Sequence, residues 1–239
     1  MKRVIYLLSG ILVLVLSACA VPTTYLMPMY KGRIIESKSL AIVHPDFFIE
    51  NTKDVTDDLG EGDPKQVYDD FFTFNFKGRM SQLSTFSDVN FIYDVDTKEF
   101  KERSLTVGKE ETIYIDLPKD GRVVKIDSLY ADFVLFIQDY HISRVDGTSG
   151  SPGVYVPAAN GMGGSWVGGG GGSFPDLRHT FIYAIWDNNE KQIVSYGKII
   201  SPTIFIFAMT RETWDSSITD IAKKILVKTP FENFPVNTY

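Results

Sequence analysis

The stretch that most restricts the fold of this 239-residue chain is YADFVLFIQDYHISR, at residues 130–144. Its residues are almost continuously apolar through Ile137, so a strand formed here has two apolar faces, which is typical of the centre of a sheet. The chain is 44% hydrophobic and 23% charged, the balance of a globular protein long enough to bury a core. We therefore expect a single domain built around a β-sheet.

Weaker patterns predict the strands that surround this one. Residues 39–43 and 88–96 are rich in β-branched and aromatic residues and are bounded by turn formers. Two short extended runs are expected within 109–129, around a Pro-Lys-Asp-Gly turn. Residues 178–201 are predicted to form a β-hairpin that turns at 188–190.

Two amphipathic helices are also predicted. Residues 64–84 carry aromatic residues at steps of three and four, after an Asp63-Pro64 start that suits a helix N-terminus. A second helix begins at Thr210 and is ended by Pro230. The order of elements predicts an α+β fold in which helices pack on one face of a mixed β-sheet, with the aromatic stripe of the first helix in the core.

The acidic segment between the first strand and the first helix, residues 51–64, is interpreted as a solvated loop. Its aspartates invite comparison with a calcium loop. The stretch lacks the alternate oxygen ligands, the central glycine and the closing glutamate of an EF-hand, so a calcium site is the weaker alternative.

The amino terminus, MKRVIYLLSGILVLVLSAC, has a basic start, a short apolar run and small residues, the layout of a secretory signal peptide over 1–18. Its end, Leu16-Ser17-Ala18-Cys19, resembles the lipobox of bacterial lipoproteins. That resemblance implies cleavage before Cys19 and attachment of a diacylglycerol to its sulfur. Because Cys19 is the only cysteine, a disulfide within the chain is excluded.

Residues 19–37 are polar and proline-bearing and are interpreted as a lipidated tether, which leaves 38–239 as one α+β domain. Ala20 follows the cysteine where an aspartate favours retention in the inner membrane of enteric bacteria. We therefore expect a lipid-anchored protein of the cell envelope, in the outer membrane and facing the periplasm.

Two segments, 130–144 and 181–201, resemble a superfamily of envelope proteins. Its members are the curli secretion channel lipoprotein, the amino-terminal domain of TolB and the lipoprotein activators of penicillin-binding proteins. The likeness covers roughly 38–228, although the turn DNNEK lacks the glycine usual there. It implies the fold and an accessory or assembly role more than an activity, with a subunit of an oligomeric secretion channel or ring as the alternative.

A glycine-rich insertion occupies 146–176, where the curli channel has a membrane-spanning hairpin. Pro152, Pro157 and the lack of sustained alternation predict that it does not span a bilayer. No phosphate-binding pattern is present, since no cation lies between Arg144 and Arg178. We predict that the insertion forms an exposed protein-binding patch, and that four large apolar residues contribute to it: Tyr155, Met162, Trp166 and Phe174.

The sequence offers little for catalysis. Three histidines are present, and if the strands pair around Arg144 and Arg178, then His141 and His179 share a face with Asp139. Zinc enzymes usually supply three protein ligands, so two histidines at the base of a loop are the simpler interpretation. We expect no enzyme, no metal and no cofactor.

The formal net charge of −6 also argues against nucleic acid as a partner. The expected partners are the lipid bilayer, through Cys19, and another envelope protein, with a homo-oligomer as the other assembly.

Overall fold

The computed structural model describes residues 24–108, 110–124, 126, 130–145, 175–205 and 208–233, and the backbone of 154–157 and 164–167. Over these ranges the chain has an α+β fold with a mixed sheet and three α-helices, which confirms the predicted fold class. The helices lie on one face of the sheet, and a separate β-hairpin covers part of the other face.

The strands, in chain order, are β1 (Thr24–Leu26), β2 (Ser39–Val43), β3 (Phe47–Ile49), β4 (Asp88–Ile92), β5 (Phe100–Val107), β6 (Glu111–Pro118), β7 (Phe133–Val145), β8 (Val154–Pro157), β9 (Gly164–Val167), β10 (Asp176–Asp187) and β11 (Gln192–Ile204). The main sheet has the order β1-β11-β10-β7-β2-β4, and β3 pairs with β7. β7, β10 and β11 alternate in direction, whereas β2 runs parallel to both β7 and β4. The strand with two apolar faces, β7, therefore lies inside the sheet.

The helical layer consists of α1 (Thr52–Leu59), α2 (Pro64–Leu83) and α3 (Arg211–Leu226). α2 begins as predicted, because the Asp63 side chain accepts a hydrogen bond from the backbone N–H of Gln66 at 3.0 Å. Its aromatic stripe is fully buried against the sheet, and each such side chain contributes about 2 to 3 kcal/mol through burial. The stripe is therefore core, as predicted.

Helix α1 corrects the prediction of a solvated loop over 51–64. Only one of its residues, Val55, is fully buried. Leu59, at its end, is partly buried against the same core. The other contacts are polar: Asn51 donates to Asp54 at 2.6 Å, and the indole Nε1 of Trp214 donates to Asp58 at 3.0 Å. An acidic helix this short depends on tertiary contacts, which the local sequence pattern does not reveal.

The outer face of the sheet, opposite the helices, is partly covered by the antiparallel β5–β6 hairpin. Ile113, Ile115 and Leu117 of β6 pack in one cluster with Val134 and Phe136 of β7. The first of the two extended runs predicted within 109–129 is confirmed as β6, but the described residues after the 118–121 turn, 122–124 and 126, form no strand. The partner of β6 is instead the preceding strand β5, across Gly108, where φ is 65°. This hairpin explains why β7 is apolar on both faces.

Strand β7 contains a β-bulge at its midpoint. Thr180 of β10 pairs with His141, but Ile182 pairs with Gln138, so β7 has one extra residue here. Asp139, at the bulge, has a φ of 53°. Because of the extra residue, the helix-facing side chains change from odd positions such as Ile137 to even positions such as Tyr140.

The ordered domain begins earlier than the predicted boundary at residue 38. β1 pairs with β11, with Thr24 opposite Gly197 and Leu26 opposite Ser195. Tyr30 is 1% exposed and is part of the main core. Most of the 19–37 segment, which was interpreted as a tether, therefore belongs to the folded domain.

The turn between β10 and β11 is held by side-chain hydrogen bonds. Asp187 accepts from the hydroxyl of Tyr30 at 2.8 Å and from the backbone N–H groups of Asn189 and Glu190 at 2.8 and 2.9 Å. The amide of Asn189 donates to Asp132, at the start of β7. The two segments that resemble the envelope superfamily thus meet here, in a structural contact.

Candidate functional site at the base of the glycine-rich insertion

The glycine-rich insertion leaves the sheet at the opposite end of the same long strands. Val145, the last residue of β7, pairs with Asp176, the first of β10. Apart from the bulge, the pairing of the two strands continues to Phe133 opposite Asp187. Asp176 also pairs with Ile204 at the end of β11. The insertion therefore projects from a stem of three paired strands.

Part of the insertion is a short antiparallel pair. β8 and β9 have four residues each, and the register places Tyr155 opposite Trp166. Two of the predicted partner-binding residues are therefore cross-strand neighbours, a relation that the sequence did not indicate. The other two, Met162 and Phe174, lie outside the described residues, as does Cys19.

Two arginines lie at the base of the insertion, and one of them, Arg144, links it to helix α1. The guanidinium of Arg144 lies 3.4 Å from Asp54 of α1 and 5.1 Å from the ring centre of Phe205. On the neighbouring strand, Arg178 pairs with Asp176 at 2.9 Å. Partly exposed pairs of this kind contribute little stability, typically below about 1 kcal/mol, so their main effect is to orient the stem.

The sequence did not single out this base as a site, although it contained a usable signal. Arg144 and Arg178 bracket the insertion, and no lysine or arginine lies between them. What the sequence could not show is that α1 supplies the carboxylate that pairs with Arg144. That contact joins residues 90 positions apart.

The acidic side of the base is formed by α1. Burial raises the pKa of Asp58, the Trp214 hydrogen bond opposes that shift, and the neighbouring carboxylates of Asp54 and Asp57 raise the pKa further. Asp54 is balanced by Arg144, whereas Asp57 is not in any ion pair among the described residues. The base thus presents both signs of charge beside the insertion.

The two histidines near the base do not form a joint site. His179 pairs with Ile142, and His141 pairs with Thr180, so the two side chains lie on opposite faces of the sheet. The predicted shared face required a register that differs by one residue, and a slip of one residue moves every side chain to the other face. The expectation that His141 and His179 share a face is therefore wrong.

His179 is fully buried on the helical side. Its Nδ1 lies 3.1 Å from the hydroxyl of Tyr140, which lies 3.4 Å from the hydroxyl of Tyr68. Burial lowers the pKa of His179 to about 3, with a smaller opposing effect from the charge of Asp220. Burial also raises the pKa of both tyrosines. The row is therefore uncharged at neutral pH and acts as a polar part of the core.

His141 lies on the outer face, beside an open groove of about 310 Å³ at the edge of the β5–β6 hairpin. The groove is lined by the bulge residue Asp139, by Tyr114, and by the Lys198–Glu111 ion pair, whose atoms are 2.6 Å apart. Its size is at the lower limit of small-molecule sites. Among the described residues, no group of three or more His, Cys, Asp or Glu side chains is placed to hold a metal ion.

Within the described ranges, none of the helices has the length and apolar character needed to cross a bilayer.

Comparison with known proteins adds little to this geometry. No family model matches the chain, and no curated protein matches it. Solved structures to which it is similar include the PelC dodecamer from Paraburkholderia phytofirmans, with 10% identity, 88% of this chain and 99% of that chain covered, and a TM-score of 0.36.

The match to protein XCC0632 from Xanthomonas campestris covers 82% of this chain and 85% of that chain, at 9% identity and a TM-score of 0.37. The match to a putative neuraminyllactose-binding hemagglutinin homolog from Helicobacter pylori covers 82% of this chain and 84% of that chain, at 8% identity and a TM-score of 0.30. At these values the similarities carry no argument about function, and the resemblance to the envelope superfamily stays a prediction.

Proposed function

We propose that this protein is a non-catalytic lipoprotein of the bacterial cell envelope that binds another envelope protein through its glycine-rich insertion. The observation that carries the proposal is the placement of the insertion. It projects from paired strands of the buried sheet, at a base oriented by Arg144 and Arg178. Loops longer than about 15 residues in a compact domain are usually either functional or disordered, and the large apolar residues of this one favour function.

The large apolar residues of the insertion favour a protein partner. Tyr155 and Trp166 are cross-strand neighbours, and aromatic residues of this kind are enriched at the centres of protein interfaces. Met162 and Phe174 extend the same composition along the segment. Pro152 and Pro157 lie within the segment, which has no sustained alternation of apolar and polar residues, and both features support a binding role over a pore.

A non-catalytic role is supported by the arrangement of the ionisable groups. His141 and His179 lie on opposite faces of the sheet, and His179 is buried in a neutral row with Tyr140. The outer groove has an ion pair, Lys198 with Glu111, in place of a free base beside a nucleophile. These features favour binding over proton transfer.

Membrane anchoring rests on the Leu16-Ser17-Ala18-Cys19 sequence, and Ala20 supports the outer membrane as the location. A diacylglycerol with a further acyl chain gives effectively permanent anchoring, since each buried methylene contributes about 0.8 kcal/mol. Cys19→Ser should release the protein from the membrane fraction and abolish labelling with an alkyne fatty acid. Retention of the lipid label in Cys19→Ser would contradict the lipidation.

The binding role can be tested by site-specific crosslinking in the native envelope. A photo-reactive phenylalanine analogue at Trp166 should give a discrete crosslinked band, identified by mass spectrometry as one envelope protein. The matched control is the same analogue at Tyr130, a 64% exposed aromatic at the opposite end of the strands. A crosslinked copy of this chain would indicate the alternative, a homo-oligomer, and identical patterns at both positions would contradict the proposed role of the insertion.

A further inference from the structure

The chain between Cys19 and the main sheet is short. Thr24 is already paired with Gly197, so five Cα-to-Cα steps separate Cys19 from the folded domain. An extended chain spans about 3.4 Å per residue, so the α-carbon of Cys19 lies within about 17 Å of Thr24. A free tether over 19–37 would reach about 60 Å by the same measure. Pairing of β1 thus removes most of the domain's freedom to move away from the anchor.

The reach of this tether is smaller than the width of the sheet. β1 and β4 are the two edges, and five inter-strand spacings separate them in the order β1-β11-β10-β7-β2-β4. At about 4.8 Å per spacing the sheet is about 24 Å wide. If Cys19 lies at the membrane surface, a tether of about 17 Å cannot hold the sheet upright with its β4 edge on the bilayer, because Thr24 would then lie about 24 Å above the surface.

We propose that the lipid on Cys19 holds the edge formed by β1 and β11 against the bilayer, with the β4 edge turned away from it. This inference rests on the proposed lipidation of Cys19. It adds to that function an interaction surface on the domain itself, and its partner is the phospholipid headgroup region.

The side chains along this edge suit contact with a bilayer surface. Tyr25 is 41% exposed, and Ile200 and Ile204 are each 47% exposed. Apolar groups of this kind enter the boundary between headgroups and acyl chains. They are three of the exposed large apolar side chains of the described domain, and they lie on the two strands nearest to the anchor.

The charges along the edge indicate that the anchor, rather than electrostatic attraction, sets the orientation. Lys198 pairs with Glu111 at 2.6 Å, and Lys224 pairs with Asp220 at 2.7 Å. Lys224 also donates to the carbonyl oxygen of Ile200 at 3.1 Å, at the outer edge of β11. The lysines are therefore matched by acids, and the chain as a whole carries a net charge of −6.

This orientation also bears on the base of the glycine-rich insertion. β1 is antiparallel to β11, so its first described residue, Thr24, lies on the side of β1 nearer the carboxyl end of β11. That end, at Ile204, pairs with Asp176 at the base of the insertion. The proposed orientation therefore turns the base of the insertion towards the anchored end of the domain, which suits a partner that is itself at the membrane.

The test uses the lipidated protein in vesicles of phosphatidylethanolamine and phosphatidylglycerol that contain a headgroup-nitroxide phospholipid. Because Cys19 is the only native cysteine and carries the lipid, Ile200→Cys and Tyr93→Cys each supply one free thiol for a fluorophore. Ile200 is on the β11 edge, and Tyr93, 64% exposed, directly follows β4. We expect quenching several-fold stronger at position 200 than at position 93.

Equal quenching at the two positions, or stronger quenching at position 93, would overturn the proposed orientation. A flexible insert of about 20 residues between Thr23 and Thr24, with a root-mean-square span of about 25 Å, should remove the difference between the positions. A difference that survives this insert would contradict a tether-imposed orientation. Failure of lipidation would be distinguishable, because the protein would then not float with the vesicles at all.

Discussion

The two ends of the long strands β7, β10 and β11 differ in how their connections are held. At one end, the turn from β10 to β11 is fixed by Asp187, which accepts hydrogen bonds from Tyr30, Asn189 and Glu190. At the other end, the connection from β7 to β10 is the glycine-rich insertion, whose base is held by the partly exposed pairs of Arg144 and Arg178. The same strands therefore connect a buried polar network at one end to partly exposed ion pairs at the other.

The difference separates what stabilises the domain from what is available for binding. Buried hydrogen bonds to a carboxylate are costly to break, because each leaves a polar group without a partner in the protein interior. Exposed ion pairs are worth little on their own. Substitutions at the turn end should therefore change stability, whereas substitutions at the insertion end should change binding.

The largest effect is expected from Asp187→Ala at the turn. It removes three hydrogen bonds and leaves the Tyr30 hydroxyl buried without an acceptor, so the free energy of unfolding should fall by about 3 kcal/mol. Tyr30 cannot compensate by ionising, because burial, the largest cause of its raised pKa, remains in the variant. Urea denaturation followed by circular dichroism would measure the loss. A change below about 1 kcal/mol would show that the network is not stabilising.

Tyr30→Phe is the matched variant for this experiment. It deletes one hydroxyl but leaves the carboxylate of Asp187 with its two backbone donors, so we expect a loss of only about 1 kcal/mol.

A pH effect of intermediate size is expected from His179. Burial lowers its pKa to about 3, from an ordinary value of 6.5, so the unfolded chain binds a proton in the interval between these values and the folded chain does not. Unfolding is therefore favoured as pH falls below about 6.5, by about 2 kcal/mol at pH 5, and this destabilisation is absent above that range. Urea midpoints at pH 7.5 and pH 5 should differ less in His179→Phe than in the wild type. If the pH dependence in His179→Phe equals that of the wild type, the lowered pKa of His179 is not its cause.

At the insertion end, Arg144→Ala should cost about 1 kcal/mol or less, since its pair with Asp54 and its contact with Phe205 are partly exposed. The expected consequence is weaker crosslinking from position 166, because the base of the insertion loses its link to α1. Arg144→Lys, which keeps the charge but not the planar contact with Phe205, should be intermediate. A loss of stability as large as that of Asp187→Ala would remove the distinction between the two ends.

The smallest effect is expected from Asp139→Gly, at the bulge between the two ends. Asp139 has a φ of 53°, a conformation that glycine adopts more readily. Asp139→Gly should therefore leave the fold intact and raise the free energy of unfolding by about 0.5 kcal/mol, whereas Asp139→Val should lower it by about 1 to 2 kcal/mol. Equal effects of the two substitutions on the free energy of unfolding would contradict the positive φ of Asp139 at the bulge.

Several elements could be predicted from the sequence because their signals are local. The start of α2 at Asp63 and Pro64 and its aromatic stripe depend on neighbouring residues. β7 was identified as a central strand from its composition alone. The same reasoning failed at α1, where one buried valine and the contact between Asp58 and Trp214 stabilise a helix in an acidic segment.

The errors about the candidate sites have one physical origin, the pairing register. A single extra residue at Asp139 changes which side chains of β7 face the helices, and the register sets His141 and His179 on opposite faces. Likewise, the pairing of β1 with β11 shortens the tether predicted over 19–37. Register is set by the hydrophobic patterns of both strands and by the turn that joins them, and here a long insertion stands in place of a tight turn, so the pattern of β7 alone does not fix it.

The central claim is that the insertion serves binding and the rest of the domain does not need it. Deleting residues 147–173 and joining the stem through a short turn tests both parts at once, by urea denaturation and by crosslinked copurification from membranes. We predict a free energy of unfolding within about 1 kcal/mol of the wild type, since loop shortening has a small entropic effect, together with loss of the partner. A stable deletion variant that retains every crosslinked partner would contradict the account.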